Sequence, residues 1–379
     1  FDMNKNIQES YSYIINLEFE KANGVLENEF LENPANGFIP LYENYIDFLT
    51  IIITEESNYF KSRQHLKKNR LRLLEENDQE SPYYLYSKAE INLQWAFSHL
   101  KFKEYPTAIY ELIKSYKLLE DNQRKFPDFI LNNKCLGLIH AILGAVPDQF
   151  QWLLSVAGIK GSIALGFREL DILLEDNDSE MYKEEVLFLV SFLQINLGNN
   201  DSLCQKYLDI IGDDYKDNLL LTFAAARLSN HLGKNDYCLQ VLENRSDNSR
   251  SIKFYYLDYL QAMSYLYKLD YIKAKQKFEI FLANFKGSNY IKSANHKLAC
   301  IAYLDNNSYM QSIYFEKTIT NGSSFIDEDK VAFLEAKNNF LSPPRLLKAR
   351  LLYDGGYYSV ALEQLNQIEY QYFSSGIHQ

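Results

Sequence analysis

A small residue, a second small residue twelve positions later and a bulky residue four beyond that recur along this chain, and no other feature limits its fold as much. Placed on consecutive helices, the small pair lets the two helices cross closely, and the bulky residue fills the space against the next pair. Ser10, Ala22 and Leu26 form the first set, with Tyr13 at the aromatic position and Pro34 where the unit ends. Ala96, Ala108 and Leu112 form the second, with Trp95 just before it and Pro106 near the start of the second helix, where proline is tolerated. Ala226, Cys238 and Leu242 follow, then Ala262, Ala274 and Phe278 with Tyr265. Ala349, Ala361 and Leu365 close the series, with Pro343 and Pro344 opening the first helix.

Weaker units fill the gaps. Glu184 to Asp217 carries Leu197-Gly198, matched 35 residues later by Leu232-Gly233, and its Cys204 stands where Cys238 stands in the next unit. The pair from Ser293 to Thr320, with Cys300 and Ser312, is degenerate, and Phe30 to Ser81 reads as a divergent helix pair without the small residues. A chain of 379 residues with only 8 prolines and 15 glycines favours helices over sheet. The expected fold is all-α with a central apolar helical insert; the recurring sets resemble the tetratricopeptide repeat, and that resemblance implies a tetratricopeptide-repeat-like α-solenoid wound as a right-handed superhelix. Its divisions are 1–130, N-terminal repeats; 131–175, the insert; and 176–379, C-terminal repeats.

The insert departs from the repeating pattern. From Cys135 to Ile159 the only formally charged residue is Asp148, and Gly137, Gly144, Gly158, Gly161 and Gly166 fall close together. So much apolar surface belongs inside protein or lipid. Leu136 to Val146 and Gln151 to Ala157 read as short helices broken by Pro147-Asp148, each well below the ~20 residues that cross a bilayer. Two readings stand: both helices fill the concave groove of the superhelix, or they form a hairpin dipping into a membrane. His140, alone on the apolar helix, reads as a hydrogen-bonded core residue.

The small-residue sets, with Trp95-Ala96, Tyr265, Ala274 to Phe278 and Ala361 to Leu365, resemble the tetratricopeptide repeat. Leu131 to Glu175 is similar to a segment of the tetratricopeptide-repeat proteins that share a domain of unknown function. That group includes animal tetratricopeptide repeat protein 39 and fungal inclusion-body-clearance proteins tied to outer-membrane and lipid-droplet surfaces. The matching residues are Gly137 to Val146, Pro147, Phe150 to Ala157, Gly158 to Gly161, and Gly166 to Leu170. The family's double proline is here Pro147 followed by Asp148, and Ser162 replaces its acidic residue. The resemblance implies an architecture and carries over no catalytic residue.

The net charge of −11, spread along the chain, argues against a nucleic-acid footprint. The basic run Lys61 to Arg72 points all round a helix axis, which suits a solvated helix better than a phosphate or anionic-lipid patch. Cys135, Cys204, Cys238 and Cys300 have no metal or redox spacing. Equivalent positions in stacked repeats lie about 8–10 Å apart, too far for a disulfide, so Cys204 and Cys238 read as buried packing residues. Phosphate-loop, metalloprotease, hydrolase and kinase motifs are missing, and the six histidines are dispersed. The expectation is therefore no catalytic residue, no metal and no cofactor.

Binding is the class that remains: a scaffold or adaptor for a protein or peptide partner, with no nucleic acid. The alternative is a lipid- or membrane-surface-associated carrier using the insert. If each first helix faces inward, the groove-lining candidates are Leu93, Phe97, Phe188, Phe192, Phe223, Arg227, Tyr256, Tyr259, Met263, Leu346 and Arg350. A chain beginning at Phe1 leaves two expectations for location: exported or cell-envelope after signal cleavage, or cytoplasmic.

Overall fold

A computed structural model describes residues 1–145, 158–159, 161–198, 200–246 and 251–367. Among them are nineteen α-helices and no strand. Contacts divide the chain into two compact units, Phe1–Ala224 with Arg245–Lys253, and Ala225–Asn244 with Phe254–Gln379. The boundary falls inside a helix, so residues 131–175 belong to the same unit as 1–130.

The first unit contains α1 (Lys5–Ile15), α2 (Phe19–Glu32), α3 (Phe38–Thr54), α4 (Ser57–Glu75), α5 (Pro82–Lys101) and α6 (Tyr105–Lys125). Then come α7 (Asn132–Gly144), α8 (Ile163–Glu175), α9 (Lys183–Leu197) and α10 (Asp201–Ile211), and α11 (Leu219–His231) carries the chain into the second unit. Helix starts follow the sequence. Asn4, Ser81 and Asn200 each accept a backbone N–H of the first turn, and Pro82 takes the first helical position, where its missing N–H costs nothing.

The second unit continues with α12 (Asn235–Glu243), α13 (Tyr256–Tyr267), α14 (Tyr271–Asn284), α15 (Ile291–Leu304), α16 (Ser308–Thr320), α17 (Asp327–Lys337), α18 (Pro344–Asp354) and α19 (Tyr358–Asn366). Helices pair in sequence: α13 on α14, α15 on α16, α18 on α19. Small residues of the recurring sets lie in the core. Ala262, Ala274, Ala226 and Cys238 are fully buried, and in the first unit the Ser10 hydroxyl donates to the Ala22 carbonyl at 3.4 Å.

One turn geometry recurs at the end of many first helices. Leu17, Lys103, Gly233, Leu269, Asn306 and Gly356 all adopt a left-handed backbone. The residue after each donates its N–H five residues back: Glu18 to Tyr13, Glu104 to His99, Lys234 to Ser229, Asp270 to Tyr265, Asn307 to Ala302 and Tyr357 to Leu352, at 2.8–2.9 Å. This bond satisfies carbonyls that the helix end leaves open. It joins α15 to α16, the pair whose small-residue spacing is degenerate, so the turn repeats where the side-chain signal fades.

Two features of the second unit lie outside nearest-neighbour stacking. Helix α17 packs on both α15 and α16, and its buried Asp329 accepts the Tyr290 and Ser293 N–H groups at 2.7 and 2.8 Å, capping α15. Helix α18 packs on α13, and a Cβ on Gly356 would lie 1.9 Å from the Gly233 carbonyl oxygen, so two turns distant in sequence touch backbone to backbone.

The apolar stretch is explained by glycine contacts. A Cβ on Gly166 would meet the Gly137 carbonyl oxygen at 2.3 Å, and one on Gly161 would meet the Gly144 nitrogen at 2.2 Å. The backbone of α7 therefore touches that of α8 at Gly166 and that of the segment leading into α8 at Gly161, which only residues without side chains allow. Helix α7 also packs on α5, α6 and α9 and is buried nearly all round. Among the described residues no helix is long and apolar enough to cross a membrane. The breaking Pro147-Asp148 and the second short helix, Gln151 to Ala157, lie outside the described residues.

Adding one methyl group at Gly166 is predicted to destabilise the protein by about 2 kcal/mol or more through overpacking against backbone. Gly24, mid-helix in α2 with open space around it, is the contrasting site: alanine there is predicted to stabilise by about 0.5–1 kcal/mol. Urea midpoints at unchanged slope measure both.

Candidate functional site

The densest chemistry in the first unit is a charged cluster that sequence reasoning missed. Lys134, in the first turn of α7, is 2% exposed, and its Nζ lies 2.6 Å from Glu90 Oε1 on α5 and 2.9 Å from Glu185 Oε2 on α9. It also donates to the Tyr45 hydroxyl on α3. Tyr45 in turn donates to Glu90, and Tyr11 on α1 donates to Glu185. Five helices thus converge on one ammonium group. The Tyr45, Tyr86 and Tyr182 rings lie 5.2–5.8 Å from it and add cation–π attraction.

Charge balance explains why two carboxylates face one lysine. Lys134 stands at the N-terminus of α7, whose own dipole adds about half a positive charge, so a single carboxylate would leave an excess. Glu185 stands in the first turn of α9, a position that also favours a negative group. Glu90 lacks such help. Burial raises its carboxyl above the usual range, while Lys134 opposes the rise and Glu185 adds to it. For Lys134 burial disfavours the charge, but Glu185 and Glu90 outweigh it and hold the ammonium above its ordinary range. Signals for this cluster were present only as a lysine opening an apolar helix and tyrosines on three others.

The groove candidates fall into distinct places. Leu93, Tyr259 and Met263 are buried in their units, and Phe97 and Leu346 are half-buried. Phe188 lies 6.5 Å from Phe192 and 5.8 Å from Phe223, so these three form one aromatic surface, with Phe192 39% exposed. In the second unit the Tyr256 and Tyr259 rings stack at 5.6 Å, Tyr290 lies against both, and Arg227 donates to the Tyr256 hydroxyl at 3.5 Å. The Tyr256 hydroxyl chiefly holds the Arg227 guanidinium above its ordinary range, against the effect of burial. Arg350 is exposed, 4.0 Å from Glu335 and from Asp354.

Other residues picked from the sequence are paired, buried or turned to solvent. The His140 ring sits 2.6 Å from Glu169 and edge-on to Tyr116, in keeping with a core histidine. Cys204 and Cys238 are fully buried free thiols. The basic run on α4 divides: Lys61, His65, Lys68 and Arg72 face solvent, whereas Arg70 is buried on Asp47 and Asn44, and Lys67 pairs with Glu111. Pairing to α3 and α6, which a helical-wheel view of α4 alone does not show, draws those two inward.

Cys300, His296 and Glu335 form a thiol–imidazole–carboxylate row, with Sγ 3.8 Å from Nδ1 and Nε2 3.0 Å from Oε2. Burial raises the thiol pKa, but the imidazole overcomes it and the net shift is downward. Cys300 is 1% exposed, so its thiol is closed to solvent, whereas the Glu335 side chain at the other end of the row is 26% exposed. No group of three or more candidate metal ligands occurs among the described residues.

Replacing Lys134 by methionine is predicted to cost about 3–5 kcal/mol, because two buried carboxylates lose their cation. The sign with pH follows. Without the lysine the folded state binds protons more tightly than the unfolded chain, whose carboxyls titrate near about 4.3, so the deficit grows as pH rises above that value. Glu90→Gln keeps the Lys134–Glu185 pair and removes the carboxylate that burial disfavours, so its cost is predicted to be smaller. Urea titrations at pH 4 and pH 7 compare them.

No protein-family model matches this chain, nor does any curated protein or solved structure.

Proposed function

We propose that this protein is a non-enzymatic scaffold or adaptor built of tetratricopeptide-like helical pairs, with the apolar insert filling the inner side of its first unit. The recurring turn after the first helices supports the repeat reading. The insert reading is supported by Lys134, whose partners come from α3, α5 and α9, with Tyr11 of α1 joined to the cluster through Glu185.

The observation that carries the binding reading is the aromatic surface of Phe188, Phe192 and Phe223. Adjoining aromatic rings with one partly in water suit the centre of a protein interface, where burial of such a side chain contributes most. Phe192 is the anchor and Phe188 its support. The carrier reading has less behind it, because α7, the apolar first helix of the insert, is already covered by α5, α6, α8 and α9.

Cross-linking in the source cell followed by quantitative recovery tests the proposal. The Phe188→Ala, Phe192→Ala double variant is predicted to lose most partners at wild-type abundance and stability. An unchanged partner set removes this surface from the reading. Alanine at buried Tyr259 is a poor probe, since it reports on folding.

A further inference from the structure

We propose that the groove between α2 and α3 docks an amphipathic helical segment of another protein, with basic residues flanking its apolar stripe. Leu26, Glu27, Phe30 and Leu31 lie on one face of α2 at helical spacing, and Ile39 and Glu43 face them from α3. Together they line an open cleft of about 490 Å³. Phe30 is 57% exposed and Leu31 81%, on a helix whose opposite side is packed on α1. An unpartnered stripe at this spacing beside a second helix is the shape into which a third helix lays its apolar face.

Charge selects the occupant. Helix α2 carries Glu20, Glu27, Glu29 and Glu32 against Lys21, which is paired with Glu18. Buried Glu29 is satisfied by the side-chain amides of Asn4, Asn6 and Asn36, which bond its oxygens without cancelling its charge. Glu27 forms no ion pair among the described residues, and Glu43 meets Arg70 only at 3.6 Å. The rim is therefore negative over an apolar floor, which attracts lysine or arginine flanks and repels anionic lipid. A second copy seated symmetrically would bring the same acidic rim against itself.

The full chain is titrated into a labelled, roughly 15-residue peptide with leucines at helical spacing and lysines elsewhere. Its all-glutamate counterpart and a scrambled isomer are run beside it, with anisotropy as readout. The amphipathic lysine peptide is expected to bind, more weakly at high salt. Glu27→Lys and, separately, Leu31→Asp are each expected to weaken binding about tenfold or more. Both positions are exposed, and circular dichroism confirms that the fold is kept. Phe192→Ala leaves this binding unchanged, so failure here is distinguishable from failure at the aromatic surface. Equal binding of the glutamate or scrambled peptide, or wild-type affinity in both groove variants, overturns the proposal. So does self-association of the chain, or binding of anionic vesicles, that Leu31→Asp abolishes.

Discussion

A lysine ammonium held away from water needs anions within hydrogen-bond reach, and in the first unit Lys134 finds them on helices far from it in sequence. Glu90 and Glu185 supply the charge, and Tyr45 and Tyr11 fix the carboxylates by donating to them. Such a cluster is weak evidence for net stability, because apolar side chains of the same volume would cost less desolvation. Its stronger consequence is positional. Sliding any one of the five helices would strand a charge in the core, so we read the cluster as a device that fixes their register.

The glycine contacts are the apolar counterpart of that device. Gly137 with Gly166, and Gly144 with Gly161, let α7 approach the start of α8 more closely than any side chain permits. The close approach also aligns the Ser162 N–H with the His140 carbonyl at 2.9 Å. A stretch that reads as membrane-like in composition is, in its described part, a tightly enclosed helix whose one cation is buried with it.

The second unit holds its order differently. Its links include polar contacts at helix ends: Asp329 capping α15, and Tyr357 donating to Asp236 at 2.8 Å while accepting from Asn235. These contacts bring α17 and the α18–α19 pair back onto earlier helices. Tyrosine is common here because its ring packs while its hydroxyl still reaches a partner.

Sequence alone determined that the chain is helical, since helical period, caps and the scarcity of proline and glycine are local properties that need no knowledge of the fold. It singled out Phe188, Phe192 and Phe223, and Arg227 with Tyr256, but not which of its candidates would be buried, as Leu93 and Met263 are. The repeating turn stayed hidden because Leu17, Lys103, Leu269 and Asn306 occupy left-handed positions where glycine would have announced them. The partners of Lys134, the inward turn of Arg70 and the acidic groove beside α2 were decided only by the tertiary structure. A charge or an exposed stripe acquires its meaning from the helices that come to face it, and no local pattern records which those are.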